Sequence, residues 1–254
     1  MKNNFYIIIL IFLSLYWFIT INEHFDFDNI PPIYNEKVVD IYKSPEIGIP
    51  KIIHHVAPGN KDRWHHLWFE CYASWEKHFP EPEYIHMNWS LTKIMNLIKE
   101  DFPWFLDIYN NYDKKIKKID IARVFILYKY GGIYADMDYI VYKNFYDELP
   151  QDKVSIPESP YKDNEFIQNA LMCSPPQHNF WLLVLDFCYK TKDDHIFEAT
   201  GPMLLTRTYW KYPELVNILP IDLYNPHIAD KEKFDSDKVI TKHLLSSVWV
   251  NPNH

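Results

Sequence analysis

Two aspartates one residue apart are the side chains of this sequence whose type and spacing most clearly suggest chemistry. Asp136 and Asp138 follow the short apolar run 133–135, which itself follows the glycine pair Gly131-Gly132. Carboxylates placed in this way suit a hard divalent cation that also holds phosphate oxygens. A bare Asp-x-Asp is common, so the surrounding residues decide whether this pair predicts a cation site.

A second pair of charged residues lies in the segment that leads into the aspartates. Residues 116–130 include Ile119, Ala122 and the apolar run 124–128, and they predict a helix buried on nearly all sides, with Asp120 and Arg123 as the exceptions near its start. Residues three apart share a helix face. The chain has only three arginines, which suggests that an arginine is kept where a planar, forked donor is needed. Because Gly131 ends the helix and turns the chain, both charged pairs are expected in one neighbourhood.

The elements around this unit alternate between strand and helix patterns. Strand patterns occur at 49–56, 83–87, 133–135 and 166–173, and helix patterns at 67–79, 91–98, 116–130, 179–189 and from Pro202 onwards. Ser90 is placed to cap the second of these helices. Strands that alternate with helices predict an α/β fold with a largely parallel sheet.

Composition limits the classes of function. The 254 residues predict one domain with small appendages, and a net charge of −8 without a basic stripe argues against a nucleic-acid-binding protein. Aromatic residues make up 17% of the chain, which suits grooves for sugars and nucleobases as well as cores. The three cysteines show no metal-binding spacing.

The N-terminal region predicts a membrane anchor. Residues 5–21 form an uncharged apolar run, preceded by Lys2 and followed by acidic residues. The positive-inside tendency then leaves residues 1–4 in the cytosol and places the rest across the membrane, after a stem at 22–46. A cleaved signal peptide is the main alternative, but no small-residue cleavage site follows the run. We expect a single-pass type II membrane protein facing a Golgi-like or ER-like lumen or another extracytosolic space.

Six motifs in order resemble glycosyltransferase family thirty-two, the sugar transferases with a DXD motif, which include outer-chain mannosyltransferases and inositol phosphoceramide mannosyltransferases. They are Ile49–His54, Phe102–Asp107, Asp120-x-x-Arg123, Tyr130–Asp138, Thr200–Thr206 and His243–Trp249. In the last motif Ser246 stands where glycine is usual, and Val248 where serine is usual. The resemblance covers about residues 49 to 249, and it implies that residues 47–254 form a glycosyltransferase catalytic domain. The implied fold is GT-A-like, a Rossmann-like mixed, mainly parallel sheet with helices on both faces.

The resemblance also implies an activity. It is the metal-dependent transfer of a hexose, with retention of configuration, from a nucleotide sugar to a hydroxyl of a glycan, glycolipid or protein. The segment 102–107 is similar to inositol phosphoceramide mannosyltransferases in particular and favours GDP-mannose, while UDP-galactose and UDP-glucose stay open as donors. A lectin-like or scaffolding protein without turnover and a nucleotide-sugar hydrolase are the alternatives from other classes.

Site residues follow from the resemblance in two groups, of which the first is metal-binding. Asp136, Asp138 and His243 would hold Mn²⁺ or Mg²⁺, since manganese accepts imidazole beside carboxylates. Such a cation stabilises a leaving diphosphate as a Lewis acid. His54 and the aromatic residues near Trp64 would line the nucleotide pocket.

The second group would bind the donor. Asp120 and Arg123 are expected to hydrogen-bond hydroxyls of the donor sugar, with Asp136 reaching the ribose or the sugar as well. Asn169 lies in a segment similar to one that faces the sugar in the family. Ser247 and Trp249 would contact the diphosphate, the tryptophan through its indole N–H.

Overall fold

The computed structural model describes residues 48–160, 166–226 and 238–245. The expected tail, anchor and stem (1–46) lie outside the described residues, and so do Ser247 and Trp249. Within the described ranges no helix is long and apolar enough to cross a membrane. The division of the chain at residue 47 therefore stays a prediction.

Eight strands are found in the described part of the chain. They are β1 (Ile52–Val56), β2 (Ile85–Trp89), β3 (Gly132–Ala135), β4 (Tyr139–Val141), β5 (Val154–Pro157), β6 (Leu171–Ser174), β7 (Val216–Leu219) and β8 (Thr241–His243). Six of them form one sheet in the order β2-β1-β3-β6-β5-β7, and β4 and β8 form a separate pair. β1 is parallel to β2 and β3, and β5 is parallel to β7, whereas β6 is antiparallel to both of its neighbours. Three of the five strand pairings are thus parallel, which confirms a mixed, mainly parallel sheet.

Strands β3 to β6 follow one another without an α-helix between them, whereas the other strands are connected by helices. The helices are α1 (His66–His78), α2 (Leu91–Asp101), α3 (Leu106–Asn111), α4 (Lys115–Tyr130), α5 (Asn179–Lys190), α6 (Ile196–Ala199), α7 (Pro202–Lys211) and α8 (Ile221–Tyr224). Ser90 caps α2, because its side-chain oxygen accepts from the Lys93 N–H at 3.3 Å. The second strand begins at Ile85, two residues later than the start at residue 83 that its sequence pattern predicts.

Helix α4 is the most enclosed helix near the aspartate pair. Ten of its sixteen residues are buried, which confirms the expectation from its apolar run. A fully buried Val, Leu, Ile or Phe side chain contributes roughly 1.5–3 kcal/mol. This packing fixes the position of α4, and with it the two charged side chains that the helix carries.

The turn after α4 is held by glycine and by a buried histidine. Gly131 has a φ of 63° and donates its N–H to the Leu127 carbonyl at 2.9 Å. The Gly131 carbonyl in turn accepts from His54 Nε2 at 2.9 Å, and His54 Nδ1 accepts from the Trp89 indole at 3.1 Å. His54 is fully buried, and burial lowers its pKa to about 4, so it stays neutral. The expectation that His54 lines the nucleotide pocket is therefore wrong, since both of its nitrogens serve the protein interior.

Candidate metal centre and its arginine network

Three side chains with metal-ligating atoms meet beyond the end of β3. Asp136 and Asp138 follow that strand, and His243 is the last residue of β8. One ligand atom from each lies within 4.8 Å of the other two, and His243 Nε2 is 3.1 Å from Asp138 Oδ1. Two carboxylates and an imidazole form a donor set that Mn²⁺ accepts. The residues present therefore fit the divalent cation that the sequence implies.

The antiparallel pair β4–β8 brings His243 to the aspartates. Its register places Tyr139 opposite His243, and the Leu244 N–H donates to the Asp138 carbonyl at 2.9 Å. The Asp138 and His243 side chains both stay partly accessible, at 12% and 17% of their surface. A ligand could therefore reach them from solvent.

Arg123 joins three acceptors beside this group. Its Nη1 lies 3.2 Å from Asp120 Oδ1 and donates to the Asn169 carbonyl at 3.0 Å, while its Nη2 lies 3.1 Å from Asp136 Oδ1. Asn169 Nδ2 also donates to Asp120 Oδ1 at 3.2 Å. The structure thus brings together in one network four residues that the sequence predicts for the site, Asp120, Arg123, Asp136 and Asn169. Asp136 also belongs to the group of potential metal ligands.

Tyr134 is a member of this network that the sequence analysis missed. Its hydroxyl donates to Asp136 Oδ1 at 2.6 Å, and its ring centroid lies 5.3 Å from the Arg123 guanidinium carbon. Tyr134 precedes Asp136 by two residues, and residues two apart along a strand project to the same face. That spacing was the signal that could have identified it.

Burial shapes the charges of the network. It raises the pKa of Asp120 to about 7, although the Arg123 charge opposes the shift. Burial also raises the pKa of Asp136, against Arg123 and with the added repulsion of Asp138. Burial alone would lower the pKa of Arg123. Asp136, Tyr134 and Asp120 nevertheless keep this pKa above its ordinary value. The guanidinium therefore remains charged, and two neighbouring carboxylates that repel each other favour a cation between them.

An aromatic cluster packs behind the aspartate pair. Met137, between the two aspartates, is buried with Ala57 and Trp64, and the half-buried Trp68 and Tyr72 pack against them. Trp64 is itself anchored through its indole N–H to the Pro58 carbonyl at 2.8 Å. The aromatic residues that the sequence suggests for the nucleotide thus lie next to the candidate metal centre.

Comparison with known proteins gives the class to which this fold and site belong. A model of the family described as "Glycosyltransferase sugar-binding region containing DXD motif" matches residues 65–156, a range that contains Asp120, Arg123 and both aspartates. The chain belongs to this family of DXD glycosyltransferases.

Two curated relatives and one solved structure are similar to it. The chain is 31% identical over 188 residues to "Inositol phosphoceramide mannosyltransferase 1" of Schizosaccharomyces pombe, covering 69% of this chain and 57% of that protein. It is 30% identical over 185 residues to "Mannosyl phosphorylinositol ceramide synthase CSH1" of Saccharomyces cerevisiae, covering 69% and 46%. The chain thus spans about half the length of these relatives. The structure named "PaToxG Glycosyltransferase" has the same fold, with a TM-score of 0.52, 18% identity, and coverage of 71% and 76%.

Proposed function

We propose that this protein is a metal-dependent, retaining glycosyltransferase that moves a hexose from a nucleotide sugar to a hydroxyl acceptor. The observation that carries the proposal is the meeting of Asp136, Asp138 and His243 beside the Arg123 network, in a member of the DXD family. GDP-mannose is the favoured donor, and an inositol phosphoceramide the favoured acceptor. The relatives' names specify the mannosyl group and the inositol phosphoceramide, while the choice of GDP follows from the resemblance of residues 102–107. UDP-galactose and UDP-glucose are the alternative donors.

Each side chain has a task that its contacts support. Asp138 and His243 lie side by side, with 3.1 Å between Asp138 Oδ1 and His243 Nε2, and are assigned to the cation with Asp136 as the third ligand. The bound cation would supply Lewis-acid stabilisation of the departing diphosphate. Tyr134 and Arg123 both contact Asp136 Oδ1, so they fix the orientation of its carboxylate.

The donor-sugar side is assigned to the rest of the network. Asp120 is held by Arg123 and by the Asn169 amide, and these three side chains offer both acceptors and donors to sugar hydroxyls. Asp120 Oδ1 already accepts a hydrogen bond from the Asn169 amide and is ion-paired with Arg123, which makes it a weak nucleophile. Retention is therefore proposed to proceed by attack from the face of the leaving group, without a covalent sugar–enzyme intermediate. Ser247 and Trp249 are proposed to contact the diphosphate.

The protein is further proposed to work at a membrane. Residues 5–21 would anchor it, with the catalytic domain on the lumenal side, where a glycolipid acceptor is within reach of the site. This topology agrees with the favoured lipid acceptor.

A donor and acceptor panel tests the activity. The full-length chain in detergent is incubated with Mn²⁺ and GDP-mannose, UDP-galactose or UDP-glucose, with and without inositol phosphoceramide, and products are measured by mass spectrometry. We expect a mannosylated lipid that requires both substrates. Donor breakdown that an acceptor never redirects would indicate a hydrolase. Neither binding nor turnover with any donor would indicate a scaffolding protein.

Asp138→Asn tests the metal assignment within that assay. The substitution keeps the size of the side chain but removes the charge, and we expect turnover to fall at least about 100-fold, the scale seen when one electrostatic catalytic group is removed. Circular dichroism should show an unchanged fold. Asp222→Asn, at an exposed position of α8, is the matched control and should retain activity. Full turnover in Asp138→Asn would refute the metal role.

A further inference from the structure

Tyr139 is the residue against which His243 packs. The two lie directly opposite each other in the β4–β8 pair, and facing residues of antiparallel strands project to the same side. Their rings are stacked, with centroids 5.2 Å apart and planes inclined by 21°. The phenol ring therefore covers one face of the imidazole, whose Nε2 lies 3.1 Å from Asp138 Oδ1.

Hydrogen bonds at its hydroxyl and at its backbone hold Tyr139 itself in place. Its hydroxyl donates to the Tyr224 carbonyl at 2.7 Å and accepts from Gln168 Nε2 at 2.6 Å. Its own carbonyl accepts from the Trp75 indole at 2.7 Å. The residue is completely buried. Because both ends of the side chain are fixed, the ring cannot turn away from His243.

The polypeptide that carries His243 has few other means of fixing the imidazole. β8 is three residues long, and within the described residues it is paired with a single strand, β4. Backbone pairing sets where the Cα of His243 lies, but it leaves the side-chain rotamer open. Contacts of the ring must therefore select the rotamer, and the structure shows two: the Asp138 carboxylate at Nε2 and the stacked Tyr139 ring. Because Asp138 is itself assigned to the cation, Tyr139 is the contact that does not depend on the ion.

We propose that Tyr139 is a positioning residue of the candidate metal centre, which holds the His243 imidazole in the rotamer that directs Nε2 towards Asp138. The inference rests on the proposed function, because it concerns the same cation site. A ligand whose rotamer is set before the ion arrives loses less conformational entropy on binding. Tyr139 would thus raise the affinity for the cation without touching it.

Mn²⁺ binding by the full-length chain tests this role separately from turnover. Free Mn²⁺ is quantified by electron paramagnetic resonance in a titration at fixed pH. Tyr139→Phe keeps the stacked ring and should bind Mn²⁺ within about twofold of the unchanged protein, although it loses two hydrogen bonds and some thermal stability. Tyr139→Leu removes the ring, and the affinity should fall about 3- to 10-fold, the range of an aromatic pair.

Controls separate positioning from a general loss of stability. Tyr109→Leu removes an equally buried tyrosine from α3, and it should lower the unfolding temperature while leaving Mn²⁺ affinity unchanged. Equal Mn²⁺ affinities in Tyr139→Leu and Tyr109→Leu would overturn the positioning role. If Tyr139→Leu does not fold, Tyr139→Met, which fills more of the volume without a planar ring, replaces it with the same expected loss.

His243→Ala distinguishes failure of this inference from failure of the proposed function. The variant should bind Mn²⁺ at least about 10-fold more weakly, because it lacks a ligand. Unchanged binding would remove His243 from the cation site, and with it both the metal assignment and the role of Tyr139. Weak binding by His243→Ala with normal binding by Tyr139→Leu would overturn the positioning role alone.

Discussion

Arg123 serves three acceptors from two separate nitrogens of one planar guanidinium group, an arrangement that a lysine ammonium cannot reproduce. The acceptors are carboxylate oxygens of Asp120 and Asp136 and the carbonyl of Asn169, all between 3.0 and 3.2 Å from its terminal nitrogens. Such a planar fork is pre-organised, whereas an ammonium group is a point charge on a flexible stem. The scarcity of arginine in the chain is consistent with this use.

Arg123→Lys should therefore be severe although it conserves charge. The ammonium can satisfy only part of the set and leaves a buried carboxylate without its partner, so we expect the free energy of unfolding to fall by about 2–4 kcal/mol. Urea unfolding followed by circular dichroism measures it, and sugar transfer should fall with it. Arg63→Lys, at an exposed position of the 3-10 turn Lys61–Arg63, is the control and should stay within about 0.5 kcal/mol. Equal stabilities of the two variants would contradict the fork's importance.

The turn between α4 and β3 determines how the helix and the aspartates face each other. Gly131 combines a φ of 63° with a ψ of −154°, a conformation that is essentially confined to glycine. A Cβ added there would lie 2.6 Å from the backbone nitrogen of Pro176, so space forbids it as well. The turn thus places Arg123 and Asp136, thirteen positions apart, in direct contact.

Gly131→Ala should destabilise the protein by at least about 2 kcal/mol, because backbone strain and a steric clash add together. Gly59→Ala is the matched control, since a Cβ at Gly59 meets nothing within 4 Å, and its effect should stay within about 0.5 kcal/mol. Chemical denaturation of both variants measures the difference. A Gly131→Ala protein as stable as Gly59→Ala would show that the turn can relax without cost.

At the scale of the whole molecule, the sequence pattern of a segment predicts whether it forms a helix or a strand. It predicts less well which strands lie next to each other in the sheet. The apolar run 124–128 identifies the body of α4, and the glycine pair identifies its end, so the meeting of Arg123 with Asp136 follows from sequence. The antiparallel insertion of β6 between β3 and β5 does not follow, because strand order depends on packing that no single segment encodes. The β4–β8 pair joins residues about a hundred positions apart, so only the family resemblance suggested His243. Tyr134 and Tyr139 were missed because buried aromatics have the same pattern as core residues.

The acid stability of the whole fold depends on histidines that are buried without charge, and His178 offers a test. It caps α5, with its Nδ1 accepting from the Phe180 N–H at 3.2 Å, so a proton at that atom would break the cap. Burial lowers its pKa to about 4, although Asp152 opposes the shift, whereas the unfolded chain has a value near 6.5. Between these values the unfolded state binds more protons, so the stability that neutral His178 contributes is complete above pH 6.5 and decreases as the pH falls towards 4.

His178→Asn removes this titration while an asparagine can still cap the helix. Between pH 7 and pH 5 the unchanged protein should lose about 2 kcal/mol more unfolding free energy than the variant, at about 1.4 kcal/mol per pH unit below 6.5. Asp120, whose raised pKa contributes with the opposite sign, is common to both proteins and cancels in the difference. Urea unfolding at several pH values measures the two curves. Parallel curves would show that His178 does not resist protonation in the folded state.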